Sequence, residues 1–358
     1  MQIILSSARF VLPVVFFGYA AVVNLGYARF PGPEEMPRDI SALRGALTAE
    51  VDSTYRQSLP HRGPAIGMIG ALRYLALGEG RKGVVAGRDG WLFTAEEIRP
   101  VPETLARPLD RIAAVRDRLA AVGARLVIVP VPGKLDVQMS HGDPESAARI
   151  AGLYDRFLQG LGQRGVAVLD ARAVLRRQAA TGNAFFRTDT HWTPAGAEAV
   201  ARALAASGLV PTGTTAFAVT TVAVDRFTGD LVSFVTSDGL APLLGLPPEI
   251  ATPYTATAET GSAGDIFAGA DAGATLLIGT SYSANPAWSF AEALKLALRH
   301  DVLNLAVEGQ GPVRPMLDYL ASDEVRDAPP ALVIWEFPVR YLTDPTIWGD
   351  AGPEQGGA

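Results

Sequence analysis

The chain has 358 residues, of which 48% are hydrophobic and 19% charged, so it can build a large packed core and wholesale disorder is excluded. The 37 acidic and 31 basic residues give a net charge of −6, which argues against a nucleic-acid partner bound by bulk positive charge. Cysteine is absent, which excludes disulfides, thiolate metal sites and cysteine nucleophiles. Histidine chemistry is confined to His61, His141, His191 and His300.

The first apolar segment covers residues 10–28, without a charge and flanked by Arg9 and Arg29. Nineteen helical residues span about 28 Å, close to the thickness of a bilayer core. The segment predicts a signal anchor in the inner membrane, or a signal peptide cut after Ala28, with Gly26 and Ala28 as the small residues before the cut. We therefore expect residues 1–30 to target the chain to the periplasm.

The remaining chain divides by its patterns into a helical lead-in at 31–80, a main domain at 81–345 and a tail at 346–358. Within the main domain, Asp89-Gly90 predicts a turn that feeds a strand. The predicted helices are 103–122, 147–165, 171–180, 194–206, 286–299 and 313–322. The predicted strands are 125–132, 166–170, 275–279, 302–306 and 332–337. Apolar strands alternating with helices indicate an α/β fold, with helices on both faces of a parallel sheet.

Residues 211–270 interrupt this alternation. They are rich in Thr, Ala and Gly and show short β patterns at 217–224 and 229–234. We interpret them as a loop-rich β insertion within the main domain.

Two short segments carry the residue types of nucleophilic catalysis. Asp189 and His191 are two apart, so in an extended segment they project to the same side. Ser281 follows a predicted strand and precedes a helix, at the strand end where α/β active sites lie. A serine needs a base, and the base a third group to hold it, so these residues predict a triad. An ordinary capping serine and turn aspartate would give the same local patterns.

The Asp-x-His pair could also ligate a metal ion. No third histidine or cysteine ligand is evident, so we expect neither a metal nor a cofactor.

Seven motifs, spread in order over most of the chain beyond residue 84, resemble the AlgJ/AlgX group of alginate O-acetyltransferases. They are GRDGWLF at 87–93, VPVPGKLD at 129–136, RTDTHWTPAGA at 187–197, GDL at 229–231, GTSYSANPAWSF at 279–290, EGQGP at 308–312 and WEFPVRYL at 335–342. The resemblance implies a three-layer, flavodoxin-like fold of the SGNH-hydrolase type. Asp189 and His191 match the family's DTHW motif, and Ser281 matches the serine of GTSYS.

Because the chain ends soon after residue 342, we expect it to lack the carbohydrate-binding module of AlgX-type proteins. The resemblance is therefore to the AlgJ type. It implies a periplasmic O-acetyltransferase that acetylates an alginate-like or cellulose-like exopolysaccharide through an acetyl-serine. The acetyl donor would be supplied by a membrane-bound O-acyltransferase partner. Two alternatives stay open: a carbohydrate esterase or deacetylase that uses water, and a non-catalytic polysaccharide-binding scaffold of an export complex.

Further residues are candidates for contact with substrate. The aromatic rings that could stack on sugars, or pack in the core, are Trp192, Tyr282 and Trp288. Polar side chains beyond later strand ends are Asn304, Gln310 and Arg314. Local positive charge for an acidic polymer would come from Arg187, Arg314 and Arg340. We expect backbone N–H groups near Ser281 and at the helix start near 286 to hold the oxyanion.

Overall fold

The computed structural model describes residues 13–22, 62–259 and 274–349. Two units divide the chain, Met1–Ile69 and Gly70–Ala358. In the first unit, residues 13–22 are helical and expose Val14, Phe16 and Phe17. Most of the predicted targeting segment lies outside the described residues. None of the helices in the described ranges combines the length and the apolar character needed to cross a bilayer.

The strands in chain order are β1 (Val84–Ala86), β2 (Leu92–Thr94), β3 (Arg125–Val131), β4 (Ala167–Val168), β5 (Phe217–Thr221), β6 (Asp225–Phe227), β7 (Glu249–Ala251), β8 (Tyr254–Ala258), β9 (Thr275–Ile278), β10 (Leu303–Asn304) and β11 (Leu332–Pro338). From residue 62 onward, the α-helices of the described residues are α1 (Arg62–Leu77), α2 (Ala106–Ala121), α3 (Lys134–Val137), α4 (Pro144–Gln163), α5 (Ala171–Thr181), α6 (Pro194–Ala206), α7 (Ser281–Ala284), α8 (Phe290–Leu298), α9 (Val313–Ala321) and α10 (Glu324–Asp327).

A five-stranded parallel sheet forms the centre of the second unit, in the order β10-β9-β11-β3-β4. The last strand in the chain, β11, lies in the middle, where Ile334 pairs with Val127 on one side and Leu277 on the other. Every residue of β9 and β11 is buried, as their largely apolar sequences predict for strands covered on both faces. The predicted α/β class is confirmed.

Helices connect these parallel strands and cover the sheet. Given this strand order, the right-handed rule for parallel crossovers predicts α4 and α9 on one face of the sheet and α6 and α8 on the other. The packing agrees, because α6 contacts both α5 and α8, whereas α4 contacts α2. The result is the three-layer arrangement that the sequence predicts.

The insertion contains two small antiparallel pairs, β5 with β8 and β6 with β7. The β pattern predicted at 229–234 is wrong, since Asp230–Phe234 forms a 3₁₀ helix. Two adjacent apolar residues, Leu231 and Val232, are buried in a small second core with Leu92, and this contact needs no strand. Local turn bonds such as Val232 N–H to the Gly229 carbonyl take up the backbone groups.

The end of the described chain is packed against the core. Trp348 belongs to the tail assigned from sequence, yet it is buried and lies against the rings of Trp335 and Phe337. Its indole N–H donates to the Tyr341 carbonyl at 3.0 Å. The folded unit therefore includes this residue.

Candidate active site

Ser281, His191 and Asp189 lie in one hydrogen-bonded line, although about 90 residues separate the serine from the other two. His191 Nε2 is 2.7 Å from Ser281 Oγ, and His191 Nδ1 is 2.7 Å from Asp189 Oδ1. Asp189 is buried and Ser281 is partly exposed, so the line runs from the interior to a serine that solvent can reach. This is the arrangement of nucleophile, base and orienting acid.

The nucleophile turn, residues 279–283, follows β9 and includes the first residues of α7. Thr280 is the N-cap of α7 and Ser281 its first residue, directly past the carboxyl end of the strand. Glu336 of the neighbouring β11 accepts hydrogen bonds from Thr280 N–H at 3.0 Å and from the Ser283 hydroxyl at 2.7 Å. Gly279 is required here, because a Cβ would lie 2.5 Å from Glu336 Oε2. One carboxyl group thus holds the residues on both sides of Ser281, the Thr280 backbone and the Ser283 side chain.

The charge state of Glu336 follows from its position. Burial raises its pKa to about 7, although the hydrogen bonds from Ser283 and Thr280 favour the ionised form. All three of its hydrogen-bond partners are donors, namely Thr280 N–H, Thr280 Oγ1 and Ser283 Oγ. This donor set fits a carboxylate.

The acid–base loop, residues 186–193, presents Asp189 and His191. Burial raises the pKa of Asp189. The hydrogen bond and charge of His191, together with the N–H groups of Asp230 and His191, have the larger effect and lower this pKa to about 2. The carboxylate is therefore ionised at neutral pH. It can hold the imidazole in the tautomer that leaves Nε2 free to take a proton from Ser281.

The insertion holds this loop through two carboxylates. Asp230 accepts from Thr190 N–H at 2.8 Å and from the Thr190 hydroxyl at 2.6 Å, while its own N–H donates to Asp189 Oδ2 at 2.9 Å. Glu249 accepts from Thr188 N–H and its hydroxyl at 2.6 and 2.7 Å. Although Asp230 as a residue is exposed, desolvation of its carboxyl group beside the loop raises its pKa, and the charge of Asp189 raises it further. The loop-rich region predicted from sequence is thus part of the site's framework.

Aromatic rings surround His191. Trp288 stacks on it at 5.1 Å and 23°, and Tyr282 contacts it at 4.7 Å. Trp192 is fully buried and donates to the Tyr282 carbonyl at 3.1 Å, while Tyr282 donates to the Thr190 carbonyl at 2.6 Å. Tyr282 and Trp288 are buried as well. These three rings are core aromatics that pack between the nucleophile turn and the acid–base loop. They present no open face to a sugar.

Other residues singled out from sequence are more dispersed. The Asn304 amide donates to the Ser283 carbonyl at 2.7 Å, so it supports the nucleophile turn. Arg187 is half-buried, and its guanidinium makes long contacts of 3.4 Å to the Asp89 and Gly245 carbonyls. Gln310 is exposed.

Two of the arginines predicted to supply local positive charge form ion pairs with acidic side chains. The exposed Arg314 pairs with Asp318 at 2.7 Å. Arg340 is buried, with Nε 2.8 Å from Glu96 and Nη1 3.0 Å from the Tyr282 hydroxyl. Arg340 therefore cannot reach a polymer, contrary to the expectation from sequence, because its guanidinium belongs to the core.

The expected oxyanion donors are corrected in part. Asn285 Oδ1 accepts from Ala287 N–H at 2.9 Å, and the Asn285 carbonyl accepts from Trp288 N–H at 3.2 Å. The N–H groups at the turn near 286 are therefore occupied. The Ser281 N–H, at the start of α7, belongs to the nucleophile's own residue and is the remaining candidate for the oxyanion.

Asp189, His191 and Asp230 also have potential ligand atoms within 4.8 Å of one another, as a cation site would. The carboxylate oxygens already accept from N–H and O–H groups, and His191 Nε2 faces Ser281. A cation would have to displace these donors, so the arrangement favours the hydrogen-bonded relay.

A parallel α/β sheet with a serine at the end of β9 and an Asp-x-His loop beside it defines an SGNH-hydrolase-like serine acyltransferase. The profile described as "SGNH hydrolase-like domain, acetyltransferase AlgX" matches residues 84–339, and the chain belongs to this family.

Among the members of this family, the chain is similar to AlgJ proteins over most of its length. The chain is 36% identical to the probable alginate O-acetylase AlgJ of Pseudomonas syringae pv. tomato, over 97% of this chain and 92% of that protein. The Pseudomonas aeruginosa AlgJ is 38% identical over 85% of this chain and 82% of that protein. The solved O-acetyltransferase domain of Pseudomonas putida AlgJ superimposes with a TM-score of 0.64, at 38% identity, over 74% of this chain and 93% of that one. The resemblance predicted from the motifs is confirmed.

Sequence reasoning missed the charged residues that hold the site together: Lys134, Asp230, Glu249 and Glu336. A signal was present for two of them. Glu336 is a carboxylate inside the otherwise apolar run LVIWEF, and Lys134 is one of three lysines in the chain. A charge in such a strand costs free energy unless it is paired, which points to a specific partner.

Proposed function

We propose that this protein transfers acetyl groups to hydroxyl groups of an exopolysaccharide of the alginate type, through an acetyl-serine at Ser281. The observation that carries the proposal is the Ser281–His191–Asp189 line, with 2.7 Å at both contacts. The relatives named alginate O-acetylase support both the acetyl group and the class of acceptor.

In the first half-reaction, His191 Nε2 takes the proton of Ser281 as Oγ attacks the donor's acetyl carbonyl carbon. The Ser281 N–H is the donor we assign to the oxyanion that forms. The imidazolium lies against the ionised Asp189, which stabilises its charge. Collapse breaks the bond to the donor's leaving group, and His191 returns the proton to that group. Acetyl-Ser281 remains.

In the second half-reaction, a sugar hydroxyl replaces the leaving group. His191 takes the hydroxyl proton, the sugar oxygen attacks the acetyl carbonyl, and Ser281 leaves as its proton returns from His191. Water could use the same steps, which would give an esterase. Transfer to a sugar is favoured over hydrolysis because the relatives are named O-acetylases. The intact hydrogen-bonded line of Ser281, His191 and Asp189 favours an enzyme over a non-catalytic scaffold.

The cellular setting is part of the proposal. Residues 1–30 would direct the chain to the periplasm, with or without an inner-membrane anchor, ahead of a lead-in and the domain at 81–345. A membrane-bound O-acyltransferase partner would bring acetyl groups across the membrane. Acidic polymer and a net charge of −6 repel each other, so the acceptor must bind through local contacts.

The test uses the full-length chain with a chromogenic acetyl ester as donor and alginate oligosaccharides as acceptor. Wild type should release the chromophore and produce acetylated oligosaccharide, detected by mass spectrometry. Ser281→Ala should lose both activities by about 10³-fold or more, because no other group supplies the nucleophile.

Ser283→Ala is a matched serine control. It should keep the covalent step, although it loses one hydrogen bond to Glu336. Equal rates for wild type and Ser281→Ala would refute the proposal. Release of acetate without any acetylated oligosaccharide would favour the esterase.

A further inference from the structure

Lys134 is a buried lysine beside the acid–base loop. Its ammonium donates to three backbone carbonyls, those of Leu92 at 2.6 Å, Arg187 at 2.9 Å and Asp189 at 2.9 Å. Two of these carbonyls belong to the loop that carries the catalytic pair, and the third belongs to β2. One side chain therefore joins the loop to a neighbouring strand through all three of its protons.

The backbone of Lys134 is held just as firmly. Glu97 Oε1 accepts from Lys134 N–H at 2.8 Å, and Glu97 Oε2 accepts from Leu135 N–H at 2.7 Å. Glu97 is itself buried. The start of α3 is thus fixed, and the ammonium has a defined origin from which to hold the loop.

We infer that Lys134 is a positioning residue of the transfer reaction, which sets the main chain at Asp189 and adds a positive charge next to the Asp189–His191 pair. This inference rests on the function proposed above. Lys134 contacts no reacting atom, so its effect passes through the acid–base loop. A shift of the loop by about 1 Å can lower the rate about 100-fold.

The groups around the ammonium define its response to pH. Four carboxyl groups influence it, Asp189, Glu97, Glu249 and Asp230. The rings of Trp91 and Phe93 lie 5.2 and 5.4 Å from it. Burial lowers the pKa of Lys134 to about 8, although the four acids raise it. The positive charge is therefore present at pH 7 and is lost as the pH rises through about 8.

The experiment compares Lys134→Met with Lys82→Met in the full-length chain, using hydrolysis of the chromogenic acetyl ester from pH 5 to 9. Lys82 is an exposed lysine outside the site and serves as the matched control. Lys134→Met should lower kcat about 10- to 100-fold with KM within about twofold of wild type. A positive charge opposes protonation of the Asp189–His191 pair, so its removal should move the acid limb of kcat/KM up by about half a pH unit or more.

The alkaline side gives a second readout. Wild type and Lys82→Met should lose activity with a midpoint near the pKa of about 8 assigned to Lys134, and Lys134→Met should lack that limb. Lys134→Gln, which keeps an N–H donor without the charge, replaces the methionine variant if the latter does not fold. It should show the same two changes in the pH profile.

The outcomes separate the two proposals. If Ser281→Ala is inactive while the Lys134 variants match Lys82→Met in kcat and pH profile, the inference about Lys134 is wrong and the proposed function stands. A lower kcat with an unchanged pH profile would show a structural role only, which also overturns the inference. If Ser281→Ala stays active, the proposed function fails, and the role of Lys134 fails with it.

Discussion

The two halves of the site are held in place in different ways. The nucleophile turn continues directly from β9, and one carboxyl group, Glu336 on the adjacent strand, holds its Thr280 backbone and its Ser283 side chain. The acid–base loop is not part of a sheet ladder, apart from a single bridge between Phe185 and Trp192. It depends on charged side chains from three other segments, Lys134, Asp230 and Glu249. The serine therefore follows directly from a hydrogen-bonded strand. The acid–base loop has few backbone bonds to its neighbours, such as Leu92 N–H to the Arg187 carbonyl at 2.9 Å, and relies more on side chains.

The largest effect on kcat is expected from a change of Asp189, the carboxylate that orients His191. Asp189→Asn should lower kcat for acetyl-ester hydrolysis by about 10³- to 10⁴-fold, because an amide no longer fixes the tautomer of His191 or stabilises its charge. Steady-state kinetics at pH 7 measure this. A loss below about tenfold would show that His191 needs no acid partner.

A smaller effect is expected from the insertion's support of the loop. Asp230→Ala should lower kcat about 10- to 100-fold, since Thr190 loses both hydrogen bonds to the carboxylate. The N–H of residue 230 still donates to Asp189, so the acid itself should stay ionised. Asp225→Ala, an exposed acid in β6 of the same insertion, is the matched control. Equal activity of the two variants would show that the insertion does not position the loop.

The smallest effect on rate is expected in the nucleophile half, from Glu336→Gln, because the amide keeps an oxygen for Thr280 N–H and Ser283. Activity should stay within about tenfold of wild type, but the pH dependence of stability should change. The pKa of Glu336 is about 7 in the folded chain against 4.5 ordinarily, so the native state binds the extra proton between those values.

The wild-type free energy of unfolding should therefore fall, relative to Glu336→Gln, as the pH rises from 4.5 to 7. The difference is on the order of 3 kcal/mol for a shift of this size. Urea unfolding at several pH values measures it. Parallel curves for the two proteins would mean that Glu336 is not a titrating group in this range.

Most of the sheet could be predicted from the sequence because its strands are short, apolar and separated by helical periods. The predicted strands at 275–279 and 332–337 correspond to β9 and β11, and the helix at 194–206 is found at those residues. Ser281, His191 and Asp189 could be identified because each belongs to a short motif with a chemical reason. Their contact could not be derived, since it depends on how the chain folds across about 90 residues.

The supporting charges could not be predicted in the same way. The periodicity of apolar residues predicts which face of a helix or strand is buried. Lys134 lies in a four-residue helix and Asp230 in a five-residue 3₁₀ helix, and both are too short to show such a periodicity. Trp192, Tyr282 and Trp288 show a related limit. An aromatic residue next to a catalytic motif can pack inward or face the substrate. All three pack inward, because of tertiary contacts that no local sequence pattern encodes.

The central position of β11 has a consequence for the order in which the protein assembles. Until β11 is inserted, β9 and β3 have no common neighbour, and the sheet exists only as separate fragments on either side of the gap. Glu336 arrives on the same strand, so the turn at Ser281 also lacks its anchor until then. A ribosome has to release residues up to Pro338 before the sheet can close. A nascent or truncated chain that lacks this strand should therefore be inactive, however complete its earlier motifs are.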